Sequence, residues 1–429
     1  MKVMLAHKFF FRGSGTSTYV LNLMESFAER GHHGIPFSIA YDRAHASPYS
    51  KYFVSPPAGS DEAFYAEIRR TPATVMRLVG RATFSTEAYR KAQALIRDEG
   101  IDLAYVHNVY NYMSPSVIPA AKSAGIPVVM RVSDYNLVCA SYSLYRGGDG
   151  ACTECLDRGW TRALVHRCVK GSLSATAARV FSMRVHSLLR IYEKVDLFVT
   201  PSEFMRETLI RRGFDERKVV HIPSFFPLNG AVPPAPGSGD CILYFGRVSR
   251  EKGLEALIRA YGKLKNPPPL LIVGGDRDGE RSRLEQIAGS ENGGGRVRFE
   301  GHQTPGELGR LIDRALFTVV PSLQHDNAPM SVLESFAHGK PVVGSNMGGI
   351  PEQLADGCGL LFEAGDVAGL TRQMQAMLDE PGLRADMGTR SYQRLRTDFS
   401  KDRHCDRLLG LFESLCKGAQ PRAPGGATA

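Results

Sequence analysis

The chain reads as two α/β domains facing each other, each a parallel sheet with helices on both faces. Three observations predict this. Short β-rich runs alternate with amphipathic stretches from Lys2 to about Val220, the pattern of a parallel sheet buried between helices. A Pro- and Gly-rich segment, Pro223 to Asp240, then breaks the alternation, because Pro can neither continue a helix nor donate within a central strand. Beyond it the alternation restarts, and 429 residues exceed what one ordinary core holds. The expected organisation is a first Rossmann-like domain over 1–222 carrying a Cys-rich insertion at 139–168, a linker over 223–240, and a second Rossmann-like domain over 241–395. A closing helix over 396–417, able to pack back on the first domain, and a disordered Gly/Pro/Ala-rich tail over 418–429 complete it.

In the first domain Val3–His7, Ile35–Ala40, Asp102–His107, Pro127–Val132 and Asp196–Thr200 read as buried strands. Tyr19, Val20, Leu23, Met24 and Phe27 mark one face of the first helix, and Arg30-Gly31 stops it. Asp42 to Ser85, with clustered Pro, Ser and Arg, receives no regular element. In the second domain the expected strands are Cys241–Phe245, Leu270–Val273, Val297–Glu300, Leu316–Pro321, Pro341–Gly344 and Gly359–Phe362.

Hydrophobic residues at 43% and charged residues at 23% are globular composition. No apolar run is long enough to cross a bilayer. Met1 to His7 reads as a first core strand rather than a signal peptide, which makes the cytoplasm the expected compartment. The formal charge of +9 asks for an anionic partner. Nucleic acid is disfavoured, since there is no Lys/Arg block, RNP-like aromatic pattern or helix-turn-helix signature.

Three segments carry candidate chemistry. Arg12-Gly13-Ser14-Gly15-Thr16 follows the first strand and opens the first helix, where glycines admit close ligand approach and free N–H groups attract an anion. A plain tight turn accounts for this loop equally well, and Thr18 in place of a third glycine argues against a dinucleotide fingerprint. Next, Gly246-Arg247 to Lys252-Gly253 leaves the first strand of the second domain. There Arg247 and Lys252 can bracket a diphosphate and stabilise charge as it departs; a solvated basic loop is the alternative. In the third, Asp326-Asn327-Ala328-Pro329-Met330-Ser331, Asn327 is the expected helix N-cap and Pro329 falls in the first turn. The N–H groups of Met330 and Ser331 then face a phosphate, and Asp326 and Glu334 reach different hydroxyls of one ligand. One cap and one surface Glu would explain this last segment if it stood alone.

The second domain resembles the retaining glycosyltransferases of the GT4 family, which have the GT-B fold. The resemblance rests on "GRVSREKGL", "VGGD" (with Gly275), "DNAPMSVLESFAHGKPVV" and "GGIPEQLADGCGLLF", in family order across 241–365. In the first domain it rests on the Gly13/Gly15 loop, "HN" at His107-Asn108 and "VTPSEFMRETLIRRGFDERKVVHIP". It implies that Arg247 and Lys252 hold the donor diphosphate, Asp326 the donor sugar and Glu334 the ribose. The Gly13–Thr16 loop would close over the ligand, with Gly246, Gly275, Asn327, Met330 and Ser331 lining the donor site. Two positions depart from the family: Asp326 stands where Glu is usual, and Ser133 where many members carry a His before Asp134. Asp134 becomes the acceptor-side candidate, although a structural Asp capping a turn fits as well.

The expected function is transfer of a sugar, with retention, from a UDP- or GDP-sugar to a saccharide or lipid-linked acceptor, with no catalytic metal. The alternatives are a nucleotide-sugar epimerase and a catalytically silent sugar-nucleotide-binding protein. Cys139, Cys152, Cys155 and Cys168 have spacing that suits a structural zinc site, with iron–sulfur, buried free thiols or labile disulfides as other readings. Two stretches interleave basic and apolar residues as an anionic membrane surface requires. One holds Arg69, Arg70, Arg77 and Arg81 among Ile68, Val75, Met76, Leu78 and Val79; the other holds Arg179, Arg184 and Arg190 among Phe181, Val185, Leu188 and Leu189. Amphipathic core helices explain either stretch too.

Overall fold

The computed structural model describes residues 1–12, 15–56, 71–147, 150–228, 238–276, 279–292 and 294–418. The expected tail beyond Gly418, residues 229–237 of the linker, Gly13, and the Ile68, Arg69 and Arg70 of the basic stretch lie outside them.

The first domain runs β1 (Lys2–His7), α1 (Gly15–Glu29), β2 (His33–Phe37), α2 (Pro72–Thr83), α3 (Thr86–Glu99), β3 (Leu103–His107), α4 (Val117–Ser123) and β4 (Val128–Arg131). The insertion follows as a hairpin, β5 (Tyr145–Arg146) and β6 (Gly150–Ala151), with α5 (Glu154–Arg158) and α6 (Thr161–His166). Then come α7 (Leu173–Leu188), β7 (Leu197–Thr200), α8 (Glu203–Arg211) and β8 (Val219–His221). The second domain runs β9 (Cys241–Phe245), α9 (Leu254–Tyr261), β10 (Leu270–Val273), α10 (Glu280–Ser290), β11 (Val297–Gly301), α11 (Pro305–Arg314) and β12 (Ala315–Val320). It continues through α12 (Met330–Ala337), β13 (Val342–Ser345), α13 (Ile350–Leu354), β14 (Gly359–Phe362), α14 (Val367–Asp379) and α15 (Pro381–Thr397), and α16 (Lys401–Cys416) closes the described chain.

Each domain is built on one six-stranded parallel sheet, ordered β2-β1-β3-β4-β7-β8 and β11-β10-β9-β12-β13-β14. The apolar runs read as strands are buried nearly throughout in the inner strands, as strands covered on both faces must be, whereas β11 and β14 at the edges of the second sheet are largely half-exposed. β8 was not expected. Nor was α2, which lies in the stretch given no regular element; Thr71 caps it by accepting from Thr74 N, and Pro72 occupies its first turn. The sequence offered a helix here only as the alternative reading of the basic stretch, and Arg81 turns inward, its side chain 11% exposed.

α16 packs on the first domain, not the second. Phe412, Leu408 and Cys405 join the core formed by Val3, Leu23, Phe27, Tyr105 and Val199. His404 bridges Tyr19 Oη (2.8 Å) and the Pro223 carbonyl (2.6 Å). The two crossings between domains lie side by side, where Phe226 N donates to Phe399 O at 3.3 Å.

α2 and α7 pack together and leave Val75, Met76, Phe181, Leu188 and Leu189 exposed. Their arginines are less free than the sequence suggested. Arg81 binds Glu87 and the Ser55 carbonyl, Arg179 binds Asn136, and Arg190 binds Glu193. Among the described residues no helix is long and apolar enough to cross a membrane.

Candidate active site

In the second sheet the strand order reverses between β9 and β12, so the loops leaving these strands diverge and open a crevice at their carboxyl ends. A 3-10 turn, Arg250–Lys252, follows β9 and ends at Gly253 with φ +72. A Cβ there would lie 1.9 Å from the Pro321 carbonyl oxygen, so only glycine lets this turn press on the loop after β12. The approach delivers Lys252 to Asp326, with Nζ 2.7 Å from each carboxylate oxygen. Gln324 Nε2 donates to the same carboxylate at 2.7 Å. Burial works to raise the Asp326 pKa, but Lys252 and the hydrogen bonds outweigh it and hold the carboxyl below its usual range. Arg247 is different: its side chain is 60% exposed, and Nη2 stands 3.2 Å from Glu251 Oε1. Tyr244 Oη fixes the Arg247 backbone by donating to its carbonyl at 2.6 Å. Gly246 meets Gly274 backbone to backbone, and the Gly275 carbonyl accepts from Val248 N at 3.1 Å.

Asn327 corrects the sequence reading. It does not cap α12; Pro329 precedes the helix and no side chain caps it. Asn327 instead accepts from Ser202 Oγ (2.5 Å) and donates to the Val132 carbonyl (3.3 Å), both in the first domain. Its side chain is spent on the domain interface. The first-turn N–H groups of Met330 and Ser331 therefore have neither an intrahelical acceptor nor a side-chain cap. Gly15, the first residue of α1, lies against Met330, and a Cβ there would be 3.6 Å from Met330 Cγ. Two helix N-termini thus meet at one point, with Thr16 just inside α1. Glu334 lies one turn along α12, and its carboxylate takes no hydrogen bond or ion pair from any described residue. Burial pushes its pKa up to about 7.

Across the crevice, Asp134 Oδ1 accepts from Asn136 N at 3.1 Å and so caps the turn Tyr135–Leu137. Burial raises its carboxyl, against the hydrogen bond and the nearby charges of Lys8 and Arg179. Ser133 Oγ lies 2.8 Å from His107 Nε2. The His107 ring stacks on His7, centroids 5.0 Å apart, and burial pushes both pKa values down, His7 to about 3. Both rings are neutral at pH 7. A histidine of the neighbouring strand β3 therefore stands beside Ser133, and the only sequence signal for it was the "HN" pair. Asn108 follows in the left-handed region, φ +53.

The interface also contains groups that sequence reading missed. Glu352 of α13 accepts from the backbone N of Glu203 and Phe204 at 2.7 Å each, capping α8 from the other domain. His325 stacks on Phe204 with centroids 4.8 Å apart. Such pairings join residues over a hundred positions apart and leave no local pattern.

The insertion shares a small core with α7: its Ala140, Cys155 and Ala163 pack with Val180 and Met183 of α7, and Trp160 and Cys168 pack on it. Glu154 ties the insertion together by accepting from Arg146, Arg162 and His166; Arg162 and then His166 hold its pKa down to about 2. All four of its cysteines are free thiols. Burial first, then the neighbouring Cys139, Cys168 and Cys152, push Cys155 up to about 12. The thiols share one neighbourhood, yet among the described residues no three metal-capable side chains are placed to hold an ion.

Paired parallel sheets facing across a crevice at a strand-order reversal are the architecture of the GT-B fold. Comparison with known proteins agrees. Residues 14–224 match the family described as glycosyl transferase 4-like domain and residues 230–394 match glycosyl transferases group 1, the two matches following one another along the chain. A glycogen synthase of Mycobacterium tuberculosis is 28% identical over 280 residues, 61% of this chain and 65% of that one. The chain therefore spans slightly under two thirds of that relative. The lipopolysaccharide core biosynthesis glycosyltransferase LpsE of Rhizobium meliloti is 31% identical over 180 residues, 42% and 51% of the two chains. Among solved structures, sucrose-phosphate synthase from Thermosynechococcus elongatus superposes with TM-score 0.69 at 21% identity, covering 97% of this chain and 100% of that one. Anabaena HepE, solved in complex with UDP, gives TM-score 0.67 at 14% identity, covering 96% and 100%.

Proposed function

We propose that the protein transfers a sugar from a nucleotide-diphosphate donor to a saccharide or lipid-linked acceptor, with retention of configuration. The observation that carries this reading is the convergence of Lys252, Asp326 and the uncapped start of α12 at the strand reversal, with Arg247 on the same loop. Arg247 and Lys252 supply positive charge where the leaving diphosphate becomes more negative, and the Met330 and Ser331 N–H groups add oriented dipoles. These cations take the role that a divalent metal plays in other phosphate sites, so turnover is expected to survive chelation. Glu334, unpaired in its buried position, suits the paired hydroxyls of a ribose, and Asp326 those of the sugar. Asp134, with Ser133 and His107, forms the acceptor side.

A UDP-sugar is the first donor to try, because the HepE structures hold UDP and UDP-glucose. Thermal stabilisation by a panel of UDP- and GDP-sugars tests donor binding, since a ligand that binds only the native state raises Tm. Product analysis without acceptor then separates transfer from epimerisation. A donor that binds but is neither transferred nor epimerised points to a silent binding protein.

Two subsidiary proposals go with this. The exposed apolar side chains of α2 and α7 would rest on an anionic membrane, tested by co-sedimentation with anionic vesicles at low salt and release at high salt. Cys139, Cys152, Cys155 and Cys168 would close on a structural zinc. Elemental analysis finding neither zinc nor iron in protein prepared without chelator removes that idea.

A further inference from the structure

The first domain contains a second concavity, away from the donor crevice. α7 packs on α2 and α6 and leaves a cavity of about 490 Å³ between itself and the end of α8. Phe198 of β7 and Phe214 line it and meet edge to face, centroids 5.0 Å apart. Trp160, the only tryptophan in the chain, lines it as well.

Its walls are basic. Arg212 sits over the Trp160 ring, with its guanidinium carbon 4.8 Å from the centroid. Its Nε is buried without a partner, and so is that of Arg179. Arg179 Nη2 donates to the Asn136 carbonyl and side chain, and Lys218 Nζ donates only to the carbonyls of Glu193 and Val195. None of these three cations forms an ion pair with a described carboxylate. The acidic residues of the wall are occupied elsewhere, Glu193 by Arg190 and Asp215 by Arg217. His186, buried and bonded through Nε2 to the Ala82 and Thr83 carbonyls, adds no charge at pH 7. The cavity therefore joins an aromatic floor to three cations without an ion-pair partner, although Arg179 acts at longer range on Asp134 and Lys218 on Glu193 and Asp215. Buried donors left unpaired are unfavourable, and an oxyanion would satisfy them with charge-assisted bonds.

We propose that this cavity binds the phosphate group of an organic phosphate carrying an apolar or aromatic moiety, as a site separate from the donor crevice. Arg212 and Lys218 hold the oxyanion, Arg179 closes its inner side, and Trp160, Phe198 and Phe214 cover the apolar part. The same chemistry is offered by a soluble phosphate ester and by a lipid phosphate headgroup.

Trp160 makes the test direct, because selective tryptophan excitation reports from this cavity alone. Titration with phenyl phosphate is expected to change Trp160 emission saturably, and phenyl glucoside, which lacks the charge, is not. Arg212→Gln and Lys218→Gln, each checked for unchanged circular dichroism, are expected to weaken half-saturation by about tenfold or more, the worth of one lost charged hydrogen bond. Lys218→Gln guards against emission changes caused by removing the arginine over the indole. Vesicles of phosphatidylcholine with and without phosphatidic acid distinguish the sources. A response to phosphatidic acid that phenyl phosphate competes away assigns a lipid headgroup, and a response to phenyl phosphate alone assigns a soluble ester. UDP is expected to leave the phenyl phosphate titration unchanged. No saturable response to either phosphate, equal affinity in both variants, or competition by UDP would each overturn the proposal.

Discussion

The two halves of the crevice are built on opposite principles. On the side of the second domain the polar groups satisfy one another: Lys252 and Asp326 form a close pair, Gln324 joins it, and Tyr244 secures the loop. On the side of the first domain, buried polar atoms without a described partner accumulate, among them His7 Nε2, His107 Nδ1, Tyr110 Oη, Tyr135 Oη and Arg131 Nη1. Of the buried atoms of this kind, only His325 Nδ1 and Gln353 Oε1 belong to the second domain. A donor is a conserved chemical type, a diphosphate with a ribose, and can be met by preset loops. In the proposed reading the acceptor falls to the first domain, whose buried polar atoms are less fully paired.

The largest expected effect breaks the satisfied side. Lys252→Ala should lower turnover by at least about a hundredfold, because it removes a preorganised cation from developing charge. It should also lower Tm, because Asp326, its side chain only 11% exposed, is left without its counter-charge. Arg247→Ala should cost similar turnover with Tm unchanged, as its side chain is 60% exposed. Steady-state kinetics beside thermal melts decide this; a Lys252→Ala protein with native Tm would mean that the pair is not the structural element described.

Next is Glu334, which sharpens the comparison as a second-domain carboxylate left without a described partner. With its pKa at about 7, the carboxyl is part protonated at neutral pH. Ribose hydroxyls favour the ionised form, so nucleotide binding should release a proton. Affinity should fall as pH is lowered below 7, by up to roughly tenfold per unit. Glu334→Gln should abolish that dependence and weaken UDP, whereas Asp326→Asn should weaken only the intact sugar nucleotide. The sign for stability is opposite: a carboxyl raised in the folded state favours folding less as pH rises from about 4.5 to 7. Ligand-free Glu334→Gln should therefore gain Tm relative to the parent above pH 7. Calorimetry in buffers of different ionisation enthalpy measures the proton directly.

The interface comes third. Glu352→Gln replaces a charged cap of α8 by a neutral one and should cost about 1 kcal/mol, seen as a lower denaturation midpoint. The smallest effect is expected on the acceptor side. Ser133→Ala should raise the acceptor KM a few-fold, about the worth of one neutral hydrogen bond, with donor affinity unchanged. A loss of donor affinity would place Ser133 on the wrong side of the crevice.

The second domain was the more legible half for the same reason that it is the more satisfied. Its site lies on three short segments, each next to a strand whose apolar run is plain, and Lys252, Asp326 and the start of α12 meet because the strand order forces them to. Asn327 was misread because a residue that fits a cap locally was claimed by Ser202 and Val132, far away in sequence. α2 was offered only as the alternative reading of a basic stretch, because its Arg and Gly residues blur the apolar face. The His107–Ser133 pair depends on the register of β3 beside β4, which neither strand announces by itself.

The return of α16 to the first domain constrains how such a chain can be recombined. Because the polypeptide crosses between the halves twice, at Phe226 and at Phe399, exchanging the donor-binding half with that of a relative requires two cuts. One falls before Cys241 and the other between α15 and α16. A chimera joined only at the first cut would inherit a foreign final helix. Tyr19, Tyr105 and Phe27 would then lie under a helix lacking the matching His404 and Phe412, and donor specificity could be transplanted only at the expense of the acceptor half's own core.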